Sequence, residues 1–89
     1  MKQLHEARAG SEAREDLLVQ VFPAEAGVEI VVRSSVAALF GPLIEAAARE
    51  LLAQHGITAC RMEIDDQGAL DYAVRARIET AICRAMEEA

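Results

Sequence analysis

The apolar residues change period along the chain, and the places where they change decide the class of fold. Leu17, Val19 and Val21 alternate with Leu18, Gln20 and Phe22, and Pro23, which has no backbone donor, ends the run. After Ala24-Glu25-Ala26-Gly27 the alternation resumes, with Val28, Ile30 and Val32 on one face and Glu29, Val31 and Arg33 on the other. Two strands joined by so short a Gly-containing connection predict a hairpin. From Val36 the spacing becomes helical, through Leu39, Phe40, Leu43, Ile44, Ala47, Leu51 and Leu52. Alternation returns at Cys60, Met62 and Ile64, opposed by Arg61, Glu63 and Asp65, and helical spacing returns at Leu70, Val74, Ile78, Ala81, Ile82 and Ala85. The predicted order is β-β-α-β-α.

The punctuation agrees with this division. Ser34 and Ser35 offer hydroxyls to the free amides of a first helical turn. Pro42 implies either a kink or a division into a turn at 36–40 and a main helix from Pro42, and Gly56 is a natural left-handed stop. Asp65-Asp66-Gln67-Gly68 reads as a turn whose carboxylates cap the next helix.

Two helices on one face of a three-stranded mixed sheet make a two-layer α+β sandwich, with the other face polar or open to a partner. The helical crossover makes the second and third strands parallel. Strand order is left open by the sequence, with the first strand expected between the other two. Residues 1–16 are polar and without period, which predicts a mobile, irregular N-terminal arm ahead of a single domain over 17–89. Eighty-nine residues suffice for one core, and with only 3% aromatic residues that core must be aliphatic.

A formal net charge of −6 opposes binding to nucleic acid or anionic lipid. No apolar run reaches the roughly 18–20 residues that a bilayer requires, and Met1–Glu6 lacks the apolar centre of a signal peptide, so a cytoplasmic location is expected. Cys60 and Cys83 have no Cys-x-x-Cys or His partner at ligand spacing, which predicts reduced, buried thiols and no metal site. Asp65 and Asp66 point to opposite faces of a strand and have no third ligand at metal-loop spacing, so capping explains them better than catalysis. His5 falls in the arm and His55 at a helix end, where its ring can meet terminal carbonyls. Arg75 and Arg77 read as solvated or salt-bridged, with docking as the functional alternative. No set of nucleophile, base and orienting group can be assembled, which points to a non-catalytic carrier or interaction subunit.

Ser34-Ser35-Val36-Ala37-Ala38-Leu39-Phe40-Gly41, then Asp65-Asp66-Gln67-Gly68-Ala69-Leu70-Asp71 and Arg75-Ala76-Arg77, resemble the acyl-carrier (gamma) subunit family of citrate lyase over about Ala9 to Ala85. The resemblance implies a covalent phosphoribosyl dephospho-coenzyme A arm, attached through a phosphodiester to a serine, whose thiol carries acetyl or citryl. It also implies three partners: a transferase (alpha) subunit, a lyase (beta) subunit and a prosthetic-group transferase. Family members place the serine ahead of the first strand, in a pattern like Glu-Ser-Gly-Asp or Glu-Ser-Ser-Asp. The corresponding residues here are Ala13-Arg14-Glu15-Asp16, so Asp16 matches the aspartate while Arg14 occupies the serine's place. Ser11, three residues earlier, is the candidate acceptor. The alternatives are an unmodified structural or regulatory subunit, or the related carrier of a citramalate lyase or malonate decarboxylase.

Overall fold

The computed structural model describes residues 4–34 and 37–87. It contains β1 (Ala7–Gly10), β2 (Leu17–Pro23), β3 (Gly27–Ser34), α1 (Ala37–Gln54), β4 (Ala59–Asp66) and α2 (Asp71–Met86). The strands form one sheet in the order β1-β2-β4-β3. The expected α+β sandwich is present, with four strands rather than three and with a different strand order.

The added strand is β1, inside the stretch expected to be irregular. Its sequence, Ala-Arg-Ala-Gly, alternates, but with nothing larger than alanine on its apolar face. Tertiary contacts supply what local propensity lacks. Residues 7–10 pair antiparallel with β2, from Ala7 opposite Val21 to Gly10 opposite Leu18. The Arg84 guanidinium of α2 donates to the Arg8 carbonyl at 2.9 Å, and the His5 amide donates to the Ala85 carbonyl at 2.7 Å.

The expected hairpin between β2 and β3 is split by β4. β4 pairs antiparallel with β2, from Leu17 opposite Asp66 to Pro23 opposite Cys60, and parallel with β3, from Gly27 opposite Ala59 to Ser34 opposite Asp66. The parallel pairing agrees with the crossover expectation, whereas the inserted strand is the third of the predicted strands and not the first. Separating β2 from β3 by one strand means about 10 Å, which three linking residues at about 3.3–3.6 Å each can bridge. A short loop therefore does not distinguish adjacent strands from strands one apart.

Both helices cover the same face. Val19 and Val21 of β2, and Cys60, Met62 and Ile64 of β4, meet Ile44, Ala48 and Leu52 of α1 and the Val74-Ile78-Ile82 stripe of α2. α2 packs on β1 and β2, and α1 on β3. The register places Glu29, Arg33, Arg61, Glu63 and Asp65 on the opposite face, where they are tied by ion pairs such as Arg61 to Glu29 and Glu63, and Arg33 to Asp65 at 3.4 Å. That face is the polar one foreseen from the alternation.

α1 runs through Pro42 without a break, so neither a division there nor a separate first turn is seen. It ends as Gly56 predicts. Gly56 adopts φ +70°, its amide donates to the Ala53 carbonyl, and the Ile57 amide donates to the Leu52 carbonyl, each at 3.0 Å, which is the Schellman pattern. Ser35 and Val36, read as a cap and the first apolar position, lie outside the described residues. No helix among the described residues is long and apolar enough to cross a membrane.

Candidate functional site

The connection from β1 to β2 carries both residues singled out for attachment, Ser11 and Arg14, and both are exposed. Gly10 makes its entry possible. With φ +88° it lies in the left-handed region, and a Cβ there would overlap the Leu17 carbonyl while sitting 3.3 Å from Cδ of Arg77. That same carbonyl accepts the Ser11 amide at 3.1 Å. Gly10→Ala should therefore cost about 2 kcal/mol or more in denaturant unfolding. Gly27→Ala should cost only about 1–2 kcal/mol, since Gly27 shares the positive φ but a Cβ there meets nothing within 4 Å. Equal losses at both positions would remove the steric argument.

Asp16 is the hub of the turn. Its Oδ1 accepts the Leu17 amide at 2.8 Å and Nε of Arg77 at 3.1 Å, and its Oδ2 accepts the Ser11 hydroxyl at 2.8 Å. Oγ of Ser11 in turn accepts the Ala13 amide at 3.2 Å. The backbone is fastened to the end of β4: the Glu15 amide donates to the Gln67 carbonyl at 2.8 Å, and the Gln67 amide to the Asp16 carbonyl at 2.9 Å. Ser11 is thus held by its amide and its hydroxyl together.

The Ser11 hydroxyl, the Leu17 amide and the Arg77 guanidinium hold the Asp16 carboxyl below its ordinary value of 3.8. A depressed pKa in the folded state gives stability that is present above the unfolded value and lost as pH falls through the folded one. Asp16→Asn should accordingly flatten the acid side of the stability profile below about pH 4. Urea melts across that range check this, and an unchanged acid slope would contradict it.

The other polar residues serve the frame. Asp66 is buried, with Oδ2 accepting the Ser34 hydroxyl at 2.7 Å and Oδ1 accepting the Ala69 amide at 2.9 Å. It closes the turn after β4, as expected, but does not cap α2, which begins after Leu70 without a side-chain cap. Arg75 pairs with Glu50 at 3.3 Å and Arg77 with Asp16, both within the salt-bridged reading. His55 does not turn to the carbonyls of α1. Its Nε2 lies 2.8 Å from Oε1 of Glu79 on α2.

Cys60 is buried, and burial pushes its thiol up; Cys83, expected to be buried, is exposed. Its Sγ lies 3.8 Å from Oε1 of Glu79, so Cys83, Glu79 and His55 converge. The four-residue spacing from Glu79 to Cys83 was readable as one helix face, but the approach of His55 from α1 was not.

With this geometry established, known proteins supply a frame for it. The acyl-carrier family described as malonate decarboxylase delta subunit (MdcD) matches residues 4–85. The chain is 49% identical over 88 residues to a citrate lyase acyl carrier protein of Rhodopseudomonas palustris (strain BisA53), covering 99% of this chain and 91% of that protein. It is 44% identical to the protein of the same name from Haemophilus influenzae (strain PittEE), covering 99% of this chain and 92% of the other. Among solved structures, a chain of a Pseudomonas malonate decarboxylase hetero-tetramer in complex with malonate is similar at a TM-score of 0.77. That match has 26% identity and covers 96% of this chain and 88% of the other.

Proposed function

The chain belongs to the citrate lyase acyl carrier protein family, and on that footing we propose that it is the acyl-carrier subunit of a citrate-lyase-type complex, with its prosthetic arm attached covalently at Ser11. The observation that carries the attachment site is the exposed hydroxyl of Ser11, presented by a hydrogen-bonded turn.

The residues of the turn fit a group of this kind. A phosphodiester to phosphoribosyl dephospho-coenzyme A needs a hydroxyl that is open to solvent and reachable by a modifying enzyme, and Ser11 provides one. Asp16 orients that hydroxyl. Because its carboxyl is held low in pKa, Asp16 acts as an acceptor that fixes geometry more than as a strong base. Arg77 offsets the Asp16 charge beside which a phosphodiester would have to lie. When bound, the group supplies the terminal thiol on which acetyl or citryl is carried. The chain itself contributes reach and recognition, and transfer and cleavage fall to the transferase and lyase subunits.

A second reading is favoured by one residue: Arg14 stands where the family's acceptor serine is expected, which suits an unmodified structural subunit that keeps the docking surfaces. The likeness to a malonate decarboxylase chain supports a third, in which the same kind of arm serves decarboxylation.

Affinity capture of the full chain from its source cell tests membership of the complex. Larger acyl-transferring and lyase subunits should be retained, and retention should weaken as salt screens the acidic surface. Recovery of decarboxylase subunits would select the third reading, and recovery of no acyl-transferring, lyase or decarboxylase subunit would overturn the proposal.

A further inference from the structure

We propose that His55, Glu79 and Cys83 form a binding site for a divalent transition-metal ion of the zinc class, set in the seam between the end of α1 and α2. The three ligand atoms lie within 4.8 Å of one another. Oε1 of Glu79 is 2.8 Å from Nε2 of His55 and 3.8 Å from Sγ of Cys83. Around a tetrahedral zinc ion the corresponding edges are about 3.3 Å between nitrogen and oxygen and about 3.6 Å between oxygen and sulfur. The two separations from Glu79 are within about half an ångström of their targets.

The backbone also prearranges the ligands. Glu79 and Cys83 are four residues apart on one face of α2, where side chains stack one turn above another. His55 is delivered by the turn that ends α1, where its amide donates to the Leu51 carbonyl at 3.2 Å just before Gly56 reverses the chain. One imidazole, one thiolate and one carboxylate are a donor set for zinc or cobalt, not for magnesium or calcium, which prefer oxygen alone. Exposure of Cys83 gives the ion a route in and leaves room for water as a fourth ligand.

The ordinary alternative is a His55–Glu79 hydrogen bond with Cys83 nearby by chance. Metal binding, unlike that alternative, requires Cys83.

This site is separate from the Ser11 turn. The turn adjoins the Leu17–Asp66 end of the sheet, whereas the loop after His55 leads into Ala59 at the other end, about 20 Å along the strands. Its test does not depend on acylation.

The full chain, stripped of metal and kept reduced, is titrated with Co²⁺ and then Zn²⁺. One equivalent of Co²⁺ should produce a thiolate-to-cobalt charge-transfer band and the visible bands of tetrahedral coordination, and Zn²⁺ should bleach both. Loss of even an outer partner costs about 10–100-fold in metal affinity, so Cys83→Ser and His55→Gln should each weaken binding at least about tenfold. Cys83→Ser should also abolish the charge-transfer band, while Cys60→Ala should leave it. Absence of the band in the unsubstituted chain, its survival in Cys83→Ser, or unchanged affinity in His55→Gln would overturn the site.

Discussion

Ile82→Ala is expected to lose about 2–5 kcal/mol of unfolding free energy, because deleting buried methylene groups forfeits their transfer energy and leaves a cavity that neighbours fill only in part. Ile82 is fully buried in the stripe that seals α2 onto β1 and β2, beside Ile78 and Val74. A chain of 89 residues has little to spare. At roughly 0.05–0.15 kcal/mol per residue, one such cavity removes a large share of the total. Urea unfolding should show a lower midpoint with an unchanged slope. Leu43→Ala, at a side chain 65% exposed on α1, should stay within about 0.5 kcal/mol. Similar losses at the two positions would mean that the core lies elsewhere.

The second large effect concerns modification. Ser11→Ala should remove all incorporation of the prosthetic group when the chain is incubated with the modifying transferase and its nucleotide donor. The fold should survive, since Ser11 is exposed and the Leu17 amide and Arg77 still hold Asp16. Arg14→Ser should raise incorporation above that of the unsubstituted chain, because it returns a hydroxyl to the place where the family carries it. Arg14 is exposed in the connection between β1 and β2 and is tolerant of change on stability grounds. Full modification of Ser11→Ala would exclude Ser11 as the acceptor. Failure of Arg14→Ser under conditions that modify an authentic carrier would show that the turn is aligned wrongly with the family.

How far the sequence revealed this molecule follows from which forces shape each part. β2, β3, β4 and the two helices were legible because each buries one face, and burial leaves a period of two or of 3.6 in the residues. β1 was not, because Ala-Arg-Ala-Gly has too little apolar surface to leave a pattern; it is a strand through pairing with β2 and bonding to α2. The insertion of β4 was hidden for a different reason. A three-residue link fits adjacent strands and strands one apart, and the Val28-Ile30-Val32 and Val19-Val21 faces match the same core either way.

At the site, Ser11 and Arg14 were named from the sequence and its family resemblance, and Asp16 was matched to the family's aspartate. The salt bridge from Arg77 to Asp16 spans 61 positions and leaves no local trace. His55 and Glu79 are likewise 24 positions apart, and their contact leaves no local trace either. Long-range polar contacts escape periodicity because each needs one residue at one place, not a repeating face.

The covalent state of the chain in its own host tests the carrier role most directly. Protein isolated from that host, with the modifying enzymes present, should show by intact mass an increment equal to one phosphoribosyl dephospho-coenzyme A, with or without its acyl load. Fragmentation should place that increment on Ser11. A bare chain mass in that host, or an increment on any other residue, would contradict attachment at Ser11.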